Sequence, residues 1–61
     1  MWVAVHDNGK PVLINLQNVL EIKQCGNGCI VIFENSNMII DESFDCIRDA
    51  LQDDRRNYIW L

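Results

Sequence analysis

A chain of 61 residues, 49% of them hydrophobic and with a formal charge of −4, has room for one small domain and rules out several classes of protein. It is too apolar for a disordered segment, its apolar runs fall far short of the roughly 18 residues of a membrane span, and five Lys and Arg supply no basic stripe for a nucleic-acid backbone. The Met1-Trp2-Val3-Ala4-Val5 start carries no basic leader, which makes the cytoplasm the expected compartment. Three cysteines, an odd number, fit reduced thiols better than a disulfide scaffold.

The elements predict an α+β fold: five short, mostly antiparallel strands, forming a curled sheet or small barrel, followed by one C-terminal helix. Residues 2–6 alternate, with Val3 and Val5 on one face and Trp2, Ala4 and His6 on the other. Asn8-Gly9 follows, the dipeptide that best tolerates positive φ at both central positions of a hairpin. A two-residue turn there leads into a second strand at 11–15 and sets Val5 opposite Val12 and Val3 opposite Ile14. The third strand occupies 19–25, with Leu20 and Ile22 on one side. A three-residue Gly26-Asn27-Gly28 loop is then expected to lead into a fourth strand at 29–34. That strand is apolar on both faces, Ile30 and Ile32 against Cys29, Val31 and Phe33. Asn35-Ser36-Asn37 turns into a fifth strand at 38–41.

A helix is predicted over 43–54. Ser43 is a good N-cap, Asp41, Glu42 and Asp45 suit the positive end of the helix dipole, and Phe44, Ile47 and Leu51 make an apolar stripe. Gln52 to Asn57 is wholly polar, and an apolar tail, Tyr58-Ile59-Trp60-Leu61, closes the chain. A single short helix covers one face of a small sheet, whereas the fourth strand is apolar on two and the tail has no evident cover. These facts point to a homo-oligomer whose interface includes Phe33, Tyr58, Ile59, Trp60 and Leu61.

Few residues have a chemical signature. Asp41, Asp45, Asp49 and Asp53 recur every four positions and would share one helical face, a costly arrangement of like charges unless it serves to dock a neutral or basic protein or to keep an oligomer soluble. Strung along a helix they span too far to converge on one ion, so no metal is expected there. Cys25 and Cys29 are expected as cross-strand neighbours on one face, more simply as free thiols than as a disulfide or as half of a zinc site, for which only Cys46 and His6 remain. His6 reads as a surface histidine at a hairpin end. The glycines form no phosphate loop, because none precedes a strand-to-helix junction. No nucleophile has both a base and an oxyanion donor in prospect, so no catalytic residue and no cofactor is expected.

From Val3 to Leu51 the chain resembles the FlbD-type family of very small bacterial proteins linked to flagellar genes, a style shared by many phage and bacterial reading frames. The likeness rests on Asn8-Gly9 after the first strand, Ile14-Asn15 closing the second, and Val19 with Ile22 in the third. It continues through Ile30 and Ile32, Ile40, and Glu42-Ser43 opening a helix with Ile47 and Leu51. The Asn35-Ser36-Asn37 turn and the tail depart from it. The resemblance implies a fold and brings no catalytic chemistry. In length and strand order the chain is also similar to the CsrA-type translational regulators, but where those carry RNA-binding arginines it has Val5-His6-Asp7 and Asp41-Glu42-Ser43. The expected function is a non-catalytic, homo-oligomeric interaction module that binds or inhibits another protein, in the manner of phage regulators or inhibitors of host factors. The alternatives are a binder or sponge for a nucleotide or metabolite at subunit interfaces, and a CsrA-like RNA regulator, which the acidic charge opposes. No membrane partner is expected.

Overall fold

In the computed structural model, which describes residues 1–52 and the backbone of 58–60, the chain opens with an antiparallel hairpin of β1 (Trp2–Asp7) and β2 (Lys10–Asn15). Asn8 and Gly9 sit at φ 55° and 82°, the two positive values that a type I′ turn requires. The register is the one the turn dictates, Val5 opposite Val12 and Val3 opposite Ile14. A 3-10 turn at Leu16–Asn18 follows, with the Asn15 side chain accepting the Gln17 N–H at 3.1 Å.

The second sheet is built from β3 (Val19–Cys25), β4 (Gly28–Phe33) and β5 (Asn37–Ile40), all antiparallel. Its first turn corrects the expected three-residue loop. Gly26 and Asn27 alone make the turn, with positive φ (59°) only at Gly26, as in a type II′ turn. Gly28 therefore belongs to β4, where a Cβ would collide with the Ile40 carbonyl oxygen. The shorter turn moves the register: Cys25 pairs with Gly28 and Gln24 with Cys29. Cys25 and Cys29 consequently occupy opposite faces, the first exposed and the second buried, rather than one face as expected. Pairing also shifts between Val19 and Glu21, which leaves Leu20 as a bulge residue, 69% exposed.

Helix α1 (Phe44–Leu51) starts where expected and is capped at Gln52; the predicted positions 53–54 lie outside the described residues. Ser43 has extended backbone and accepts the Cys46 N–H through Oγ at 3.1 Å, which satisfies one of the free donors of the first turn. The C-terminal segment supplies a sixth strand absent from the sequence expectation. β6 (Tyr58–Trp60) lies parallel to β1, with Trp2 beside Tyr58, Val3 beside Ile59 and Ala4 beside Trp60. The sheets are thus ordered β2-β1-β6 and β3-β4-β5.

The sheets share one core. Val3, Val5 and Ile14 come from the first, Cys29, Val31 and Ile40 from the second, and Ile47 from the helix. Val12, Ile22, Met38, Phe44 and Leu51 surround them, partly buried. Each fully buried aliphatic side chain contributes about 1.5–3 kcal/mol against the entropy of ordering the chain. The expected curled sheet takes this two-sheet form, stitched at one corner where the Asp41 N–H donates to the His6 carbonyl at 2.8 Å.

Candidate functional site

The polar centre of the molecule is that corner, where Asp41 and Glu42 leave β5 and meet the end of β1. In β1, His6 has its N–H and C=O turned away from β2, and the described pairing with β6 covers only Trp2 to Ala4. Glu42 Oε1 accepts the His6 N–H at 2.9 Å, and Oε2 lies 2.7 Å from His6 Nδ1. Asp41 extends the contact to the hairpin turn, its two carboxylate oxygens accepting the N–H groups of Asn8 (3.2 Å) and Gly9 (2.7 Å). Type I′ turns leave such amides pointing outward, and a carboxylate supplies two acceptors for them. The Glu42 side chain is only 9% exposed and the His6 side chain 38%. This half-buried pairing replaces the free surface histidine anticipated from the sequence, which offered no signal for a contact between residues 36 positions apart.

An imidazole fixed through Nδ1 by a carboxylate has an oriented Nε2, an arrangement that acid–base chemistry can use. Among the described residues no hydroxyl or thiol hydrogen-bonds to His6, and no group of three or more His, Cys, Asp or Glu converges on a cation position. The hydrogen bonds of the corner link the Asp41-Glu42 segment after β5 to β1 and its turn.

The four aspartates of the predicted acidic stripe separate in space and role. Asp41 precedes the helix and is engaged by the β1–β2 turn. Asp45 and Asp49 lie on α1 with side chains 78% and 69% exposed, and Arg48 reaches both, at 3.6 and 3.5 Å. Asp53 lies outside the described residues. On the helix itself, the described part of the stripe is therefore two carboxylates sharing one guanidinium.

Among the expected interface residues, Phe33 is half-buried and packs against the core. Tyr58, Ile59 and Trp60 form β6 on the chain's own first strand, so their backbone has a partner within the chain. Leu61 lies outside the described residues. Among the described side chains, the exposed large apolar ones are Trp2 (47%) and Leu13 (50%) on the first sheet and Leu20 (69%) and Ile39 (56%) on the second. On the outer side of the second sheet Ile30 pairs with Ile39, beside half-buried Ile32. The sequence marked this through the two-faced apolar character of β4, and missed Leu13 because alternation alone does not say which face meets water.

Two clefts open on the surface. One, of about 170 Å³, lies between the Gly26-Asn27 turn and the helix start at Ser43, Phe44 and Asp45. The other, shallower and of about 470 Å³, lies between the 3-10 turn and the β4–β5 connection, with Leu20 and Phe33 on its walls. Cys25 and Cys46 are exposed free thiols, and Cys29 is a buried one whose pKa is pushed up by burial, with Cys25, Cys46 and Glu42 adding in the same direction. Among the described residues no helix is long and apolar enough to cross a membrane. No family model matches the chain, and no curated protein or solved structure matches it either.

Proposed function

We propose that this protein is a non-catalytic interaction module that self-associates and binds or inhibits another protein. The observation that carries the reading is the surface. With the core already closed by two sheets and a helix, Trp2, Leu13, Leu20 and Ile39 remain 47–69% exposed on a chain of 61 residues. On the second sheet Ile39 is continuous with Ile30 and Ile32, and a contiguous apolar face of that kind is what oligomer or partner interfaces use. Self-association accounts for the apolar faces. The partner surface is the exposed side of α1, where Asp45 and Asp49 suit a neutral or basic protein despite the intervening Arg48. The likeness to FlbD-type proteins adds no chemistry, and the small basic count keeps nucleic acid behind protein as a ligand.

Sedimentation equilibrium between one and one hundred micromolar tests the first half, with an oligomer expected by tens of micromolar. A monomer throughout overturns it. For the second half, the wild type and an Asp45→Lys/Asp49→Lys variant are compared as baits in the source cell. The variant is expected to lose a protein that the wild type retains while staying folded, its melting temperature slightly lower because the helix N-terminus loses an acid and Arg48 loses both partners. Equal retention removes α1 as the partner surface.

A further inference from the structure

We infer that the outer face of the β3-β4-β5 sheet is a two-fold dimer interface that binds a second copy of this chain, in register, through a self-complementary pattern of charge and isoleucine. The inference rests on the self-association proposed above and names the surface responsible.

The pattern follows from strand pairing. Residues paired across antiparallel strands share a face, so the outer side of this sheet carries two rows that cross all three strands, with the Cys25–Gly28 pair beyond them. One row is Glu21, Ile32 and Asn37, and the other is Lys23, Ile30 and Ile39. Each row begins with a charge on β3, has an isoleucine on β4, and the charges are of opposite sign. Glu21 and Lys23 are 54% and 59% exposed and lie 3.6 Å apart within the chain. Ile39 is 56% exposed, and Ile30 and Ile32 are half-buried.

Consider two such sheets packed face to face about an axis that lies between them and runs across the strands. The rotation reverses strand direction, so the glutamate row of one copy meets the lysine row of the other while β3 stays over β3. Glu21 then faces the partner's Lys23, and Lys23 faces the partner's Glu21. Ile32 meets the partner's Ile30 at the centre, and Ile39 is covered by the partner's Asn37. Both charges are paired, both central isoleucines are dry, and one contact is repeated twice, as an isologous interface demands. The other in-plane axis, along the strands, would set Glu21 over the partner's Asn37 and leave the charges unmatched.

Size favours a whole sheet face over a tip. A stable interface takes roughly 800 Å² from each partner. The molecule measures 28 × 23 × 19 Å, so only a full face comes near that figure. Aligned face-to-face packing of twisted sheets is also a common way of building a two-layer core.

The test is charge reversal read by sedimentation equilibrium at low salt. Glu21→Lys and Lys23→Glu, each alone, put like charges opposite each other twice per dimer and are expected to raise the dissociation constant about tenfold or more. Mixing the two variants should restore association, as a heterodimer, because every Lys then faces a Glu. The double variant Glu21→Lys/Lys23→Glu should return to the wild-type constant. Single variants that dimerise as tightly as the wild type, or a mixture that stays monomeric, overturn the inference and leave self-association to another face, such as that of Trp2 and Leu13. A wild type that is monomeric throughout removes both proposals together. Should a reversal fail to fold, Glu21→Gln/Lys23→Gln decides instead: its dimer must be weaker than the wild type's at low salt and much less sensitive to salt, and an unchanged constant and salt slope overturn the inference.

Discussion

Single residues in this chain divide according to whether their role is set by neighbours in sequence or by distant ones. Gly9 and Ser43 belong to the first kind, a positive-φ turn position and a helix cap readable from the residues on either side. Cys29 belongs to the second. From sequence it was one of a pair of thiols around a turn, and one residue of loop length decided its face. In the structure it is fully buried, and burial raises its pKa, with Cys25, Cys46 and Glu42 adding to the effect. A thiol whose pKa is higher in the folded than in the unfolded state keeps its proton longer when folded. Its contribution to stability is complete below the unfolded pKa of about 8.5 and is lost as pH rises through the folded value. The urea midpoint should accordingly fall between pH 8 and pH 10, and Cys29→Ala should flatten that fall while lowering stability at pH 7. Under native conditions a thiol reagent should label Cys25 and Cys46 promptly and Cys29 only on unfolding. Three equally fast thiols, or a slope that the Ala variant leaves unchanged, would refute the assignment.

At the scale of elements, the hairpins show how much local chemistry can specify. Asn8-Gly9 set both the length and the register of the first hairpin, because its two positive-φ residues admit a single turn type and alternation fixed which face was buried. Gly26-Asn27-Gly28 reads as a three-residue loop, yet only its first two residues make the turn. The Ile40 backbone, packed against Gly28, decides this through a contact that the local sequence does not reveal. The same limit hid the Asp41-Glu42 corner, where two acids that looked like helix-dipole partners instead satisfy three backbone N–H groups of a distant strand and turn. That difference is measurable. Glu42→Ala removes a half-buried acceptor from the His6 N–H and should cost about 1–3 kcal/mol in chemical denaturation. Asp41→Ala exposes turn amides that water can reach, and should cost nearer 1 kcal/mol. Neither should affect partner binding once the protein is folded. A Glu42→Ala variant as stable as the wild type would mean that the corner contributes nothing to joining the sheets.

For the whole molecule, the question is how so short a chain closes its sheets. Domains of this length bury only about 60% of their unfolded surface, so every unpaired edge weighs heavily. The apolar tail, read from sequence as a segment in need of a neighbouring subunit, has its backbone on β1 at Trp2, Val3 and Ala4. Its hydrophobicity was legible, but its destination was not, because a parallel partner more than fifty residues away leaves no periodicity to detect. Along β1 the cover is divided, β6 serving residues 2–4 and Glu42 with the Asp41 backbone serving His6. Deleting residues 58–61 should therefore uncover an edge beside the core residue Val3, with two consequences. The truncated subunit should unfold at lower urea even at concentrations where the full chain is monomeric, and amide exchange should quicken in β1 at residues 2–4 more than at His6 or in β4. An intersubunit role for the tail gives the opposite pattern, a loss of association with the dilute subunit equally stable. Urea unfolding and hydrogen exchange on both chains at sub-micromolar concentration separate the two: an unchanged midpoint and unchanged exchange at residues 2–4 would mean that β6 does not support its own subunit.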